Sequence, residues 1–143
     1  MNKVAIIYWS GTGNTEQMAQ CVAEGAKGAG AEAELLTPSA VSAATLDGYD
    51  AVAFGCPAMG AEVLEESEFE PMFAGVEGKL KGKKIALFGS YGWGDGQWMR
   101  DWCDRCKADG AVILEEPGLM VNEAPDDAGQ ESCRELGRQL ANW

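Results

Sequence analysis

The chain has 143 residues, a formal net charge of −12 and no histidine. A length of this order fits one domain with a single core, so we expect one domain over residues 1–143. The negative charge excludes nucleic acids and anionic membranes as partners bound through positive charge, and the lack of histidine excludes histidine-dependent hydrolytic triads.

Short apolar runs alternate with helical patterns along the chain. The runs typical of buried strands lie at residues 4–8, 35–36, 51–54 and 85–88, with further strand material at 111–121. Helical spacing predicts helices at about 16–28, 39–46 (a weak pattern), 65–73, 97–108 and 125–142. This alternation predicts an α/β fold in which a parallel sheet carries helices on both faces.

Three loops follow the first, third and fourth predicted strands, at residues 9–15, 56–64 and 89–97. Ligands of doubly wound sheets bind beyond the carboxyl ends of the strands. We therefore expect these loops to meet at one site.

The first loop, at residues 10–15, combines glycines with hydroxyl side chains immediately before a predicted helix. Free backbone N–H groups and the helix dipole favour an anion there. The lysine of a nucleoside triphosphate loop and the third glycine of a dinucleotide fingerprint are both missing. We expect a bound phosphate, and the alternative is a polar turn that only caps the helix.

The residues of these loops resemble those of one family. The segment Tyr8-Trp9-Ser10-Gly11-Thr12-Gly13-Asn14-Thr15 resembles the FMN-phosphate loop of flavodoxins, and segments 56–65 and 88–96 are similar to the two isoalloxazine loops of short-chain, clostridial-type flavodoxins. The similarity spans essentially the whole chain. It implies a flavodoxin-like, doubly wound five-stranded parallel sheet in the order 2-1-3-4-5.

The resemblance also implies function. A flavodoxin holds FMN without a covalent bond and carries single electrons at low potential, mainly between the semiquinone and the hydroquinone, without turning over a substrate. The implied cofactor-binding residues are Ser10, Gly11, Thr12, Gly13, Asn14, Thr15, Ala58, Met59, Gly60, Ala61, Glu62, Ser90, Tyr91, Gly92, Trp93 and Gly94.

Individual roles follow from the same resemblance. The phosphate would accept hydrogen bonds from the side chains of Ser10, Thr12, Asn14 and Thr15. Trp93 would stack on the outer flavin face, Met59 would lie on the inner face, and Glu62 would accept a hydrogen bond from flavin N3–H. The carbonyl of Gly60 would turn toward flavin N5 on reduction.

Position 61 departs from the family pattern, because Ala61 stands where Asp, Asn, Ser or Gly is usual. If this position needs positive φ after the turn of the Gly60 carbonyl, alanine costs on the order of 1 kcal/mol relative to glycine. The sequence therefore predicts a less stable semiquinone than an Ala61→Gly variant would have. Pro57, which lacks an N–H, can donate no backbone hydrogen bond.

Structural explanations compete at several of these positions. Trp93 lies between two glycines in a loop, which favours binding over a place in the core. Met59 could equally fill a gap in the core, and Glu62 could be only a solvated charge. We expect the acidic run at residues 65–70 to be a solvated helix face.

The five cysteines are expected to be reduced thiols, because a chain of this size needs no disulfide framework. Cys103 and Cys106 form a C-x-x-C pair, but their helical spacing places them beside Trp98, Met99 and Trp102 on a face that we expect to be in the core. The first apolar run is too short for a signal peptide or a membrane span. We therefore expect a cytoplasmic protein that binds no membrane.

Charge is unevenly distributed along the sequence. Residues 28–78 contain no lysine or arginine, whereas Lys79, Lys81, Lys83 and Lys84 precede the fourth predicted strand. These lysines should lie at the end of the sheet opposite the predicted site. A negative pole near the flavin predicts a low potential and steers redox partners with basic docking surfaces, such as ferredoxin-type donors and acceptors, to a monomeric carrier.

Three other functions use this kind of fold. An FMN-dependent NAD(P)H:quinone reductase needs open space above the flavin, which Trp93 and the short chain leave little room for. A response-regulator receiver needs acidic residues where Trp9-Ser10 and Cys56-Pro57 stand, so the residues exclude it. A dedicated flavodoxin-like accessory protein stays open as an alternative.

Overall fold

The computed structural model describes residues 2–92 and 94–143. Within them the strands are β1 (Lys3–Tyr8), β2 (Glu32–Leu36), β3 (Ala51–Gly55), β4 (Lys84–Tyr91), β5 (Val112–Ile113) and β6 (Leu119–Asn122). The α-helices are α1 (Asn14–Gly28), α2 (Phe69–Val76), α3 (Gln97–Ala108) and α4 (Asp127–Asn142).

All strand pairs are parallel, and the sheet has the order β2-β1-β3-β4-β5. This confirms the predicted flavodoxin-like order. The fifth strand position is divided: β5 pairs with the beginning of β4, from Lys84, and β6 pairs with its end, from Phe88 to Tyr91. The interruption covers residues 114–118.

The central strands are buried on both faces, and alternate residues point to different helix layers. Val4 and Ile6 of β1 pack with α1 and α4, whereas Ala5 and Ile7 pack with α2 and α3. A strand buried on both sides must be apolar at every position. The near-continuous apolar runs in the sequence reflect this double burial.

Helices α1 and α4 approach each other very closely through two glycines. A Cβ atom at Gly25 would lie 1.9 Å from the carbonyl oxygen of Arg134, and one at Gly137 would lie 2.0 Å from that of Val22. Real side chains do not tolerate such contacts with backbone atoms. The spacing of these helices, and hence the position of the N-terminus of α1, depends on these two glycines.

The prediction of a weak helix at 39–46 is wrong. Two 3-10 turns, Pro38–Ala40 and Ala43–Gly48, connect β2 to β3 instead. The backbone N–H of Ser42 donates to the Thr45 hydroxyl at 2.9 Å. Hydroxyl side chains that bond locally to the backbone compete with an α-helix in this way.

The acidic run at 65–70 is not a solvated helix face, and the helix begins at Phe69 rather than at Glu65. Glu65 is only 5% exposed, and its carboxylate accepts from the N–H groups of Glu68 and Phe69 at 2.7 and 2.8 Å. Glu70 accepts two hydrogen bonds of 2.7 Å from the guanidinium of Arg105, which also bonds Glu77. The Glu65 carboxylate thus binds N–H groups at the start of α2, and the Glu70 carboxylate connects α2 to Arg105 of α3.

The predicted burial of the C-x-x-C pair is confirmed, since Cys103 and Cys106 both lie in the core between α3 and the sheet. Burial raises the pKa of the Cys106 thiol to about 12. In residues 2–92 and 94–143 no helix is both long and apolar enough to cross a bilayer.

Candidate functional site

The three loops predicted to meet do meet at the carboxyl ends of β1, β3 and β4, and Ser90 connects them. Its N–H lies 3.4 Å from the hydroxyl oxygen of Thr15, and its carbonyl accepts from the N–H of Ala58 at 3.1 Å. Both Ser90 and Thr15 are buried. Each loop is therefore fixed to a neighbour, by a backbone-to-side-chain contact at Thr15 and by a backbone hydrogen bond at Ala58.

A cleft of about 320 Å³ opens between these loops. It is lined by Trp9, Gly11, Thr12, Asn14, Pro57, Ala58, Met59, Gly60, Ser90, Tyr91, Gly92 and Glu123. Aromatic and small residues form most of its walls, and hydroxyl and amide groups lie at the end nearest α1. This is the usual composition of a cofactor cleft.

The end of the cleft at α1 has the properties of an anion site. Gly13 precedes the helix with φ of 97°, a conformation that glycine adopts readily. The hydroxyls of Ser10 and Thr12 accept from the N–H groups of Gly13 and Asn14 at 3.1 and 3.5 Å. The first N–H groups of a helix have no acceptor within the helix, so those that follow Asn14 can bind an anion.

A tight turn borders the other end of the cleft. The N–H of Glu62 donates to the carbonyl of Met59 at 2.8 Å, and Gly60 and Ala61 occupy the centre of the turn. Neither central residue has φ in the left-handed region, so the turn is type I, because type II requires positive φ at its third residue. The positive φ in this segment belongs to Glu62, at 53°.

The carboxylate of Glu62 lies against a backbone glycine. A Cβ at Gly94 would lie 2.2 Å from Oε1 of Glu62, and this oxygen is buried without a hydrogen-bond partner among residues 2–92 and 94–143. The side chain lines a smaller cavity of about 150 Å³, beside the main cleft, together with Trp98 and Trp102. An unpartnered buried carboxylate oxygen is suited to accept from an N–H donor of a ligand.

The structure brings nine of the predicted site residues into the cleft: Gly11, Thr12, Asn14, Ala58, Met59, Gly60, Ser90, Tyr91 and Gly92. Ser10, Gly13 and Thr15 support the anion site from beside it. Glu62 and Gly94 form the contact next to it, and Ala61 is exposed in the turn. Trp93 lies outside the described residues.

Trp9, Pro57 and Glu123 line the cleft although sequence reasoning did not include them among the site residues. Pro57 has no backbone N–H and so offers no donor there. Glu123 has φ of 59°, and its N–H donates to the carbonyl of Tyr91 at 2.8 Å. The available indication was topological, because residue 123 follows the last strand at the same edge of the sheet as the other loops.

The cysteine at the cleft is chemically inert. Cys56 follows β3 directly and is fully buried, and this burial raises the pKa of its thiol to about 12. A thiol of this kind stays protonated, so it is a poor nucleophile and a poor metal ligand. In the part of the chain that the structure describes, no group of three or more histidine, cysteine or carboxylate side chains is arranged to hold a metal ion.

The residues present fit FMN. Neutral hydroxyl and N–H donors suit its phosphate, and the unpartnered oxygen of Glu62 suits an N–H of the isoalloxazine. The fold and the cleft thus define a doubly wound α/β protein that holds a phosphate-bearing cofactor at the carboxyl edge of its sheet.

Comparisons with known proteins agree. Residues 6–137 match the flavodoxin family. The chain is 50% identical to a flavodoxin of Clostridium beijerinckii over 137 residues (96% of this chain, 98% of the relative) and 46% identical to that of Megasphaera elsdenii over 138 residues (96% and 98%). The solution structure of two-electron reduced Megasphaera elsdenii flavodoxin superposes with a TM-score of 0.89 (98% of this chain, 99% of that one).

The chain therefore belongs to the flavodoxin family. It is an FMN-binding electron carrier and not an enzyme.

Proposed function

We propose that the chain carries single electrons at low potential between redox proteins in the cytoplasm, as a monomer with one domain over residues 1–143. FMN is held in the cleft described above. The observation that carries this proposal is the combination in one cleft of an uncharged anion-binding loop and neighbouring carboxylates.

The phosphate end of the cleft binds through neutral groups. Residues 10–15 contain no lysine or arginine, so the hydroxyls of Ser10 and Thr12 and the first N–H groups of α1 balance the phosphate charge. Thr15 acts beside them, since its hydroxyl connects the loop to Ser90. FMN bound in this way supplies the one-electron chemistry.

The turn at residues 59–62 offers a hydrogen-bond acceptor at the flavin end. Its central peptide, between Gly60 and Ala61, is the one whose rotation converts a type I turn to type II. This rotation directs the carbonyl oxygen of Gly60 to the opposite side of the turn. The oxygen can then accept from an N–H group that reduction creates on the ring.

The low potential follows from the charges around the cleft. Glu123 lines the cleft and Glu62 lies directly beside it, and the phosphate loop contributes no cation. Adding negative charge to the ring is opposed by these carboxylates. The same charges favour partners with basic docking surfaces, for which ferredoxin-type donors and acceptors are the chemical class that fits.

The test is an anaerobic titration of the purified protein with dithionite, followed by its visible spectrum. We expect a flavin spectrum that is reduced in two resolved one-electron steps, the second at low potential. Reduction in a single two-electron step, accompanied by rapid oxidation of NAD(P)H, would contradict the carrier function. A colourless protein that does not take up added FMN would contradict the binding site.

A further inference from the structure

Trp9 separates the cofactor cleft from a neighbouring groove. It follows β1 directly, and its backbone N–H donates to the carbonyl of Gly55 at 3.0 Å. Its side chain lines the cleft and also lines a groove of about 190 Å³ that contains Glu68. The orientation of this ring therefore sets the shape of the cleft on the side of the phosphate loop.

The ring also packs on the phosphate loop itself. A Cβ at Gly11 would lie 3.0 Å from Cη2 and 3.3 Å from Cζ3 of Trp9. The indole thus lies directly over the Cα of Gly11. If the ring rotates, Gly11 loses this packing and the loop that receives the phosphate loses one wall.

One polar contact sets the orientation of the indole. Its Nε1–H donates to Oε2 of Glu68 at 2.9 Å. Glu68 immediately precedes α2, and its own N–H donates to the buried carboxylate of Glu65 at 2.7 Å. The contact is exposed to solvent, but the acceptor is charged and its backbone is held in place, which favours this hydrogen bond over one between neutral groups.

We propose that Glu68 is a positioning residue for FMN binding: its carboxylate holds the Trp9 indole against Gly11 and so keeps the cleft in the shape that receives the cofactor. This inference rests on the proposed placement of FMN in the cleft. Glu68 acts through Trp9, without contact with the cofactor.

The test is a double-mutant cycle on FMN affinity in the full-length chain. Glu68→Ala should raise the dissociation constant about five-fold, as expected for the loss of one hydrogen bond. Glu68→Gln should stay within about two-fold, because its amide oxygen can still accept from the indole. In a Trp9→Phe background, which keeps a ring but has no N–H, Glu68→Ala should have almost no effect.

Glu66→Ala is the matched control, because it removes the same charge from the same exposed segment. It should leave the dissociation constant within about two-fold. The proposal is overturned if Glu68→Ala has no effect, if Glu66→Ala weakens binding equally, or if the loss persists in the Trp9→Phe background.

A second readout needs no cofactor. In ¹H–¹⁵N spectra of the FMN-free full-length chain, Glu68→Ala should shift the indole N–H resonance of Trp9. The resonance of Trp98, whose N–H donates to the carbonyl of Cys56 at 3.1 Å, should not move. An unmoved Trp9 resonance overturns the hydrogen bond itself. A shifted resonance without any change in FMN affinity overturns the positioning role of Glu68, whereas failure of the parent chain to bind FMN contradicts the proposed function.

Discussion

At the scale of single residues, substitutions of Ala61 test whether the peptide between Gly60 and Ala61 rotates on reduction. In the type I turn Ala61 has no positive φ, but rotation of the preceding peptide would give it one. Ala61→Gly should therefore raise the midpoint potential of the first one-electron step by about 40 mV, the equivalent of about 1 kcal/mol. A spectroelectrochemical titration of both proteins measures this shift.

A graded series provides the control for that measurement. Asparagine adopts positive φ more readily than alanine, and the β-branched valine adopts it least readily. With these residues at position 61, the midpoint potential of the first one-electron step should therefore fall in the order Gly, Asn, Ala and Val, with Gly the highest. Equal potentials across the series would show that the peptide does not rotate on reduction.

Glu65 has an unexpected structural role, and it predicts a pH dependence of stability. Burial alone would raise its pKa, but hydrogen bonds from the Ser67 hydroxyl and from the N–H groups of Phe69, Glu68 and Ser67 lower the pKa from 4.5 to about 2. Because the folded pKa is depressed, this stabilisation is complete above about pH 4.5 and is lost as the pH falls toward 2. It amounts to about 3 kcal/mol.

Urea unfolding between pH 3 and pH 7 measures the contribution of Glu65. Glu65→Gln should lower the free energy of unfolding by about 2 kcal/mol at pH 7, since an amide offers fewer acceptors to the N–H groups. The difference from the parent protein should shrink at pH 3. Glu66→Gln, at an exposed neighbour, should change little. A difference for Glu65→Gln that does not depend on pH would contradict the assignment.

Site residues could be predicted from the sequence where consecutive residues form a recognisable loop motif. They could not be predicted where a side chain contacts a residue that is distant in the sequence. Glycines and hydroxyls between a strand and a helix identify an anion site, so Gly11 and Thr12 could be found from sequence. Trp9 and Glu68 are 59 residues apart, and nothing in either segment indicates their contact. Glu65 likewise is indistinguishable in sequence from its solvated neighbours.

At the scale of elements, the crossing of α1 and α4 depends on Gly137. An added methyl group would lie 2.0 Å from the carbonyl oxygen of Val22, a backbone atom that cannot move independently. Gly137→Ala should destabilise the fold by about 2–3 kcal/mol, despite the better helix propensity of alanine. Thermal or urea unfolding measures the change.

Gly75 in α2 is the matched control for this prediction. It is exposed, and a Cβ there would meet no atom within 4 Å. Gly75→Ala should therefore stabilise the fold by about 0.5–1 kcal/mol, because alanine loses less backbone entropy. If Gly137→Ala also stabilised the protein, the close crossing of the two helices would be wrong.

Elements with strong periodicity were predictable, and weakly patterned connections were not. The bounds of α3 match the expected 97–108 because its apolar stripe is long and regular. The helix predicted at 39–46 does not form, because the Thr45 hydroxyl accepts a local hydrogen bond from the backbone N–H of Ser42. Strand material was expected within residues 111–121, but its division into β5 and β6 depends on the register with β4, which no local pattern encodes.

At the scale of the whole molecule, charge is separated along the sheet. Lys84 begins β4 and Tyr91 ends it at the cleft, a distance of about 23 Å for eight residues in a strand. Lys83 lies at the same far end, where its ammonium donates to the carbonyl of Leu46 at 2.8 Å. At the other end, the described lining of the cleft includes Glu123 and no lysine or arginine, and the nearby Arg100 is paired with Asp95. The predicted separation of charge therefore agrees with the strand directions at the cleft itself.

This separation predicts that the effect of a carboxylate on the flavin potential depends on which end of the sheet it occupies. Glu123 lines the cleft, and at about 10 Å and an effective dielectric constant of about 20 one charge opposes the added electron by about 1.7 kcal/mol, or about 70 mV before screening. Glu123→Gln should raise the potential by several tens of millivolts.

Glu32→Gln removes the same charge from the far end, because Glu32 begins β2 opposite Lys3. At about 25 Å in a medium close to water the effect should be about 10 mV or less. Both shifts should shrink with added salt, and that of Glu123→Gln should remain the larger, since a charge beside the ring is less screened. Equal shifts would mean that net charge, rather than its placement at the carboxyl edge of the sheet, sets the potential.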